Sequence, residues 1–270
     1  MNKKIMFILL LVCGLIGCSN RNMDSLDQST DVFYFSTDFG GVYEYNQGIH
    51  EVSNASVHTL NTVQQNGLFL SNQSTVNFIE SGLVTYEYNA NSAIQSATSS
   101  QNKSNIYFVN QSGVLYVKNV SENTIKKVDV PALYPIPKQI ILDDPNNRLF
   151  YHNGQQVFQI DLDEGQVKEI TADIYPIASI AYHQGNDLYF STSTDGKIYK
   201  SNISTGWTSV FYHPISVNGS LISIQKGTDQ LFFSKGNGRD THIYELDLTT
   251  KASQLTVTLS NIKRISQLTF

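Results

Sequence analysis

Residues 177–212 read IASIAYHQGNDLYFSTSTDGKIYKSNISTGWTSVFY. The stretch breaks into four short runs of strand composition. Ile177 to Tyr182 is the first, and Gln184-Gly185-Asn186-Asp187 turns the chain into Leu188 to Ser191. Asp195-Gly196 is a hairpin signal, because a positive φ costs little at such residues. Ile198 to Ile203 follows, then the turn Ser204-Thr205-Gly206 and a last run from Trp207 to Tyr212. This is a four-stranded antiparallel meander. Its second run, LYFST, has five counterparts: FYFST from Phe33, LFLSN from Leu68, IYFVN from Ile106, LFYHN from Leu149 and LFFSK from Leu231. The steps between first residues are 35, 38, 43, 39 and 43. A period of about 40 residues made of short strands predicts an all-β fold, a six-bladed β-propeller of four-stranded antiparallel blades.

The other repeats follow with variations. Leu149–Tyr151 leads through Asn153-Gly154 to Val157–Leu162, then through Glu164-Gly165 to Val167–Ile170. The sixth has Leu231–Ser234, a Gly-rich loop at 236–240 and Ile243–Leu248. The second, from Leu68 to Tyr88, lacks a clean hairpin signal. No helical stretch is predicted after the N-terminal segment. The first repeat starts without an inner strand, and the chain ends on KRISQLTF, which reads as one. The C-terminal strand is therefore expected to complete the first blade. That pairing would protect strand edges that an open sheet exposes.

The N-terminus carries an address. Lys3 and Lys4 precede an unbroken apolar run from Ile5 to Val12, the layout of a secretory signal over residues 1–17. The run is shorter than the roughly 20 apolar residues of a membrane-spanning helix. Leu15-Ile16-Gly17-Cys18 resembles a bacterial lipobox, which implies cleavage before Cys18 and a lipid on its thiol. Residues 18–30 then read as the lipidated cysteine and a polar tether, and residues 31–270 as a single propeller. The resemblance implies a lipid anchor in the bacterial cell envelope. Ser19 lacks the aspartate associated with inner-membrane retention, which favours the outer membrane in a host with two. The other cysteine, Cys13, lies within the signal, so the mature domain has no thiol for a disulfide or a thiolate metal site.

The net charge is −5, and without Lys3 and Lys4 the balance of 16 basic to 23 acidic residues gives −7. An acidic domain with no basic cluster argues against nucleic acid, where Lys and Arg must neutralise phosphate. Tyr (15) and Phe (14) are abundant and only 15% of residues are charged, which suits a secreted β protein. Asn72-Gln73-Ser74 has the form of a glycosylation site but reads as loop composition.

LYFSTSTDGKIYKSNISTG and LFYHNGQQVFQIDLDEGQVKEI resemble the six-bladed propellers of the YWTD and TolB-like type. The resemblance implies the fold over the whole mature chain. LYFS and IYFV stand where the YWTD signature would, so that family's ligand rules are not implied.

Loops that join an outer strand to the next inner strand share a propeller face with those between the second and third strands. Three of them carry an aromatic-Pro-Ile motif at Tyr134, Tyr175 and His213. Each ring is expected on one face, near the mouth of the central pore, where it would serve a partner. The competing reading is a repeat device that packs blade on blade. Asp38, His152, Asp195, Arg239 and Asp240 are expected on the same face. Calcium ligation by Asp38, Asp195 and Asp240 is conceivable, but Asp in a hairpin is mostly turn chemistry. The six histidines show no metal spacing and no G-x-S-x-G elbow occurs. The expected function is a non-catalytic binding or scaffold lipoprotein that presents one face to an envelope protein or glycan. The alternative is a hydrolase or lyase of the lactonase kind with a metal at the pore, although the inner strands lack an obvious acidic set.

Overall fold

The computed structural model describes residues 32–270 apart from 55, 64–66, 82, 172–175, 214–219, 226 and the side chain of Asn237. The signal, Cys18, the tether and Tyr175 lie outside the described residues.

Six four-stranded antiparallel sheets follow one another along the chain. Blade 1 holds β1 (Phe33–Thr37), β2 (Val42–Tyr45) and β3 (Ile49–Ser53), and its inner strand is the last of the chain, β24 (Ile265–Thr269). Blade 2 is β4 (Thr59–Val63), β5 (Gly67–Ser71), β6 (Thr75–Glu80) and β7 (Leu83–Asn89). Blade 3 is β8 (Ile94–Ser99), β9 (Asn105–Asn110), β10 (Leu115–Asn119) and β11 (Thr124–Lys127). Blade 4 is β12 (Gln139–Asp143), β13 (Arg148–His152), β14 (Val157–Asp161) and β15 (Val167–Thr171). Blade 5 is β16 (Ile177–His183), β17 (Asp187–Thr192), β18 (Ile198–Asn202) and β19 (Thr208–Tyr212). Blade 6 is β20 (Ile222–Ile224), β21 (Gln230–Asn237), β22 (Asp240–Asp247) and β23 (Ser253–Leu259). The only helix among the described residues is a 3-10 turn at Asp144–Asn146.

The repeated motif is the second strand of every blade, and its lack of apolar/polar alternation has a packing cause. Successive side chains point to opposite faces of a sheet, and each sheet here packs on a neighbour at both faces. In blade 5, Leu188 and Phe190 join an apolar cluster with blade 4, while Tyr189 joins one with blade 6. In blade 1, Phe33 and Phe35 face blade 6 and Tyr34 faces blade 2. Six such clusters occur, one for each pair of neighbouring blades, the 6–1 pair included.

Inner strands also bond to one another. The third residue of each motif pairs with an inner-strand residue: Phe35 with Leu268, Leu70 with Leu60, Phe108 with Ala97, Tyr151 with Ile140, Phe190 with Ile180 and Phe233 with Ile222. In four blades the residue before this partner reaches the next blade. Thr59 Oγ1 accepts from the Ala97 N–H at 3.3 Å, Ser96 Oγ from Ile140 at 3.1 Å and Gln139 Oε1 from Ile180 at 2.9 Å. Ser179 Oγ donates to the Ile222 carbonyl at 3.3 Å. Innermost strands have one edge without a strand partner, and these side chains satisfy part of it. In the sixth blade the equivalent residue is Leu221. There the junction to blade 1 rests on rings, with Phe270 stacked on Phe232 at 3.6 Å. Ser96→Ala is expected to strand the buried Ile140 N–H and to cost about 1–3 kcal/mol in urea unfolding.

Strand ends are set by Asn and Asp. Asn72 Oδ1 accepts from the N–H groups of Ser74 and Thr75, so Asn72-Gln73-Ser74 is a hairpin turn. Asn110 and Asn153 do the same in the next two blades, and Asp161 and Asp247 in outer hairpins. A side-chain acceptor here replaces the missing ladder partner of the turn. In blade 6 the Gly-rich segment is not the loop expected over 236–240. Gly236 pairs with Thr241 and Asn237 with Asp240, which leaves a two-residue turn on longer arms.

Candidate functional site

The meander fixes which loops share a face. Loops between second and third strands emerge beside those that enter each inner strand. Asp38, Asp195, Arg239 and Asp240 belong to the former class, and Tyr134 and His213 to the latter, so one face carries all of them. Tyr134 is 86% exposed and Phe39, in the β1–β2 loop of the same face, 94%. The loop of Tyr134 is held firmly. Leu133 is buried beneath it and its N–H donates to the Gly113 carbonyl at 2.8 Å. Gly113 has φ +75°, and a Cβ there would lie 2.3 Å from the Leu133 oxygen. Only glycine allows that approach.

The aromatic-Pro-Ile motif does not occupy one repeated position. Pro135, Pro176 and Pro214 stand five, four and eight residues before the equivalent residues Ile140, Ile180 and Ile222. His213 is exposed, as is Tyr134, but neither borders the central cavity.

The candidate acids are engaged separately. Asp38 lies 3.3 Å from Arg264 Nε. Asp195 accepts from Thr192 Oγ1, from the Lys197 N–H at 3.1 Å and from Tyr199 OH at 2.9 Å, with Lys197 Nζ at 3.0 Å. Burial works against its charge, yet these bonds hold its carboxyl down to about 2. Asp240 accepts from the Asn261 N–H. Among the described residues no three His, Cys, Asp or Glu side chains gather as a metal site. Arg239 is exposed at the tip of the blade 6 hairpin.

His152 departs most from its expected place. It is not a surface residue but is 1% exposed, in the wall of the cavity. It holds the fourth motif position, where four blades have Ser36, Ser71, Ser191 and Ser234 and one has Val109. Burial, with the Lys138 charge nearby, lowers its pKa from 6.5 to about 3, so the imidazole is neutral at pH 7. Its Nδ1 has no hydrogen-bond partner among the described residues. Burial likewise raises neighbouring Tyr151 to about 12.

The cavity occupies about 510 Å³ between the inner strands of all six blades. One girdle is formed by Asn61, Thr98, Ile141, Ala181, Ser223 and Thr269, one from each blade. The next is formed by Thr62, Ser99, Leu142, Tyr182, Ile224 and Phe270. Beyond them the wall continues into Asp144–Asn146, Gln184, Gly185 and Gly227, loops between first and second strands. These lie on the face opposite Tyr134 and Phe39. At that end Asp143 is neutralised by Arg148 Nε at 2.5 Å and bonded to Asn146 Nδ2 at 2.8 Å. His183 Nε2 is 2.9 Å from Asp229. The sequence offered one sign of this cavity, the hydroxyl and amide residues within otherwise apolar inner strands. Phe39 was missed because a single exposed ring in a hairpin has no periodic signature.

No protein-family model matches the sequence, and no curated protein is similar to it. Solved structures do share the fold. A chain of the nidogen/laminin complex superposes with a TM-score of 0.69 at 9% identity, over 88% of this chain and 97% of that one. The structure of U3-55K gives a TM-score of 0.63 at 11% identity, over 88% and 81%. At such identities the likeness shows the β-propeller and nothing finer.

Proposed function

We propose that this chain is a lipid-anchored, non-catalytic binding or scaffold protein of the bacterial cell envelope. The face that carries Phe39 and Tyr134 engages a protein or glycan partner. Those two rings, almost fully exposed on loops set by a rigid ring of blades, are the observation that carries this reading. Exposed aromatics give large contact area with little ordering cost, and they dominate binding energy when a partner buries them. A propeller in a nidogen/laminin complex has similar architecture, which supports a binding role by analogy of fold. The lipobox resemblance at Leu15–Cys18 supports the anchor.

Photo-crosslinking in cells tests the face. A photoreactive residue at position 39 or 134 is expected to give discrete adducts with an envelope component. The same residue at Trp207, exposed at the opposite end of blade 5, is expected to give none. Adducts at Trp207 alone, or at none of the three, would reject this face. Lipidation has its own test. Cys18→Ser is expected to leave the chain unprocessed or released from membranes. Retention of that variant through salt and alkali washes at the wild-type level would contradict the anchor.

A further inference from the structure

Phe39 and Tyr134 are exceptions among the exposed large apolar side chains, because most of the rest gather at the opposite end of the ring. Outermost strands start there, since the hairpins that lead into them share that end with the loops between first and second strands. Ile49 opens β3, Leu83 and Val84 open β7, Ile125 is second in β11, Trp207 directly precedes β19 and Leu255 is third in β23. Their exposures run from 42% at Ile49 and Ile125 to 70% at Leu83. At a rise of about 3.3 Å per residue, all six stand within roughly 10 Å of that end. Blades 1, 2, 3, 5 and 6 thus carry an apolar rim, which blade 4 interrupts with Asp163-Glu164. Several acids at this end are engaged within the ring: Glu80 with Lys103, Asp187 with Lys200 at 2.7 Å and Asp229 with His183 at 2.9 Å. The attraction this rim offers is apolar rather than electrostatic.

The course of the chain says what covers the rim. Val32, itself exposed, leads into β1 from this same end. Cys18 lies about 14 residues earlier, at most about 50 Å of extended chain. A bilayer that holds a lipid on Cys18 is therefore tied to the rim end of blade 1, and contact through the Phe39 end would draw the tether past the full height of that blade. We propose that the rim rests in the headgroup layer of this bilayer. The inference rests on the anchor reading. Apolar side chains with a Trp among them suit that layer, where amphipathic surfaces sink about 5–10 Å. The Phe39 face then points away from the membrane toward its partner. A bilayer against Trp207 also fits the absence of protein or glycan adducts expected there.

Trp207 is the chain's one tryptophan, so its fluorescence reports on the rim directly. The full chain, purified from bacterial membranes, is reconstituted on phosphatidylcholine vesicles with plain or brominated acyl chains. Flotation with the vesicles reads the anchor, and bromine quenching reads the rim. The chain is expected to float, and brominated lipid should remove about half of the Trp207 emission or more. Leu83→Ser with Leu255→Ser should still float but lose most of that quenching, with an unchanged melting temperature because both side chains are exposed. Ile49→Ser with Ile125→Ser is a second pair should the first fold poorly. Flotation with Trp207 unquenched by bromine and open to acrylamide would overturn the docking and leave the anchor standing. Shielding from acrylamide without bromine quenching would assign the rim to a second copy of the chain and overturn it as well. So would wild-type quenching in both variant pairs. Failure to float would reject the anchor, and this inference with it.

Discussion

A chain that stops after Leu259 is expected to lose cooperative unfolding altogether. The deletion removes one of the twenty-four strands among the described residues, but that strand closes the ring. β24 pairs with β1 from Thr269 opposite Tyr34 to Ile265 opposite Thr37. It buries Ile265, Leu268 and Phe270 in the cluster shared with blade 6. Phe270 lies between Phe232 at 3.6 Å and Phe33 at 5.0 Å between ring centroids. On the other side the Thr62 N–H donates to Thr269 Oγ1, and Thr62 Oγ1 donates to the Phe270 carbonyl. Three large apolar side chains contribute about 1.5–3 kcal/mol each by burial alone. The loss also uncovers blades 6 and 2, and a domain has only about 5–15 kcal/mol in total. Terminal truncations are usually benign because termini fray; this one is tied down. Phe270→Ala, a milder form, should cost about 3–5 kcal/mol. Far- and near-ultraviolet dichroism on heating would show both effects.

The second large effect is a loss of stability in mild acid. Folded His152 takes up a proton only near pH 3, whereas the unfolded imidazole does so at about 6.5. Between these values the unfolded chain binds one more proton, so each step down in pH favours unfolding. The stability is fully present above about pH 6.5. It should fall by as much as ~1.4 kcal/mol per pH unit and level off below about pH 3, a total on the order of a few kcal/mol. Asp195, held at about 2, adds a loss of the same sign as its carboxyl protonates at lower pH. His152→Leu should flatten the curve between pH 6 and 4. Urea midpoints across that range measure it, and an equal slope in wild type and variant would exclude His152 as the cause.

Much of the architecture was legible because it repeats. Phe33, Leu68, Ile106, Leu149, Leu188 and Leu231 all stand first or second in the second strands of their blades, and the KRISQLTF tail holds an inner strand, as its likeness to Ile177–Tyr182 implied. Periodicity reports a constraint common to all blades, here burial on both sheet faces. It reports poorly on what differs between them. His152 reads as a loop-side residue because it follows LFY and precedes Asn153-Gly154, yet it stands at a position that elsewhere takes a small side chain. The blade 6 glycines suggest a wide loop, although strand pairing continues to Asn237 and Asp240. The aromatic-Pro-Ile motif looked equivalent in three loops, but loop length moved it relative to the inner strands. The cavity comes from residues more than 200 positions apart, such as Asn61 and Thr269, and only closure of the ring brings them together.

Closure by the first and last strands places both the loop face and the cavity, and hydrogen exchange of the C-terminal peptide tests it most directly. In the intact chain, amides of residues 265–269 should exchange as slowly as those of β17 in the middle of the ring, through global unfolding alone. Exchange of that segment within seconds, with β17 still protected, would contradict a ring closed by the C-terminal strand.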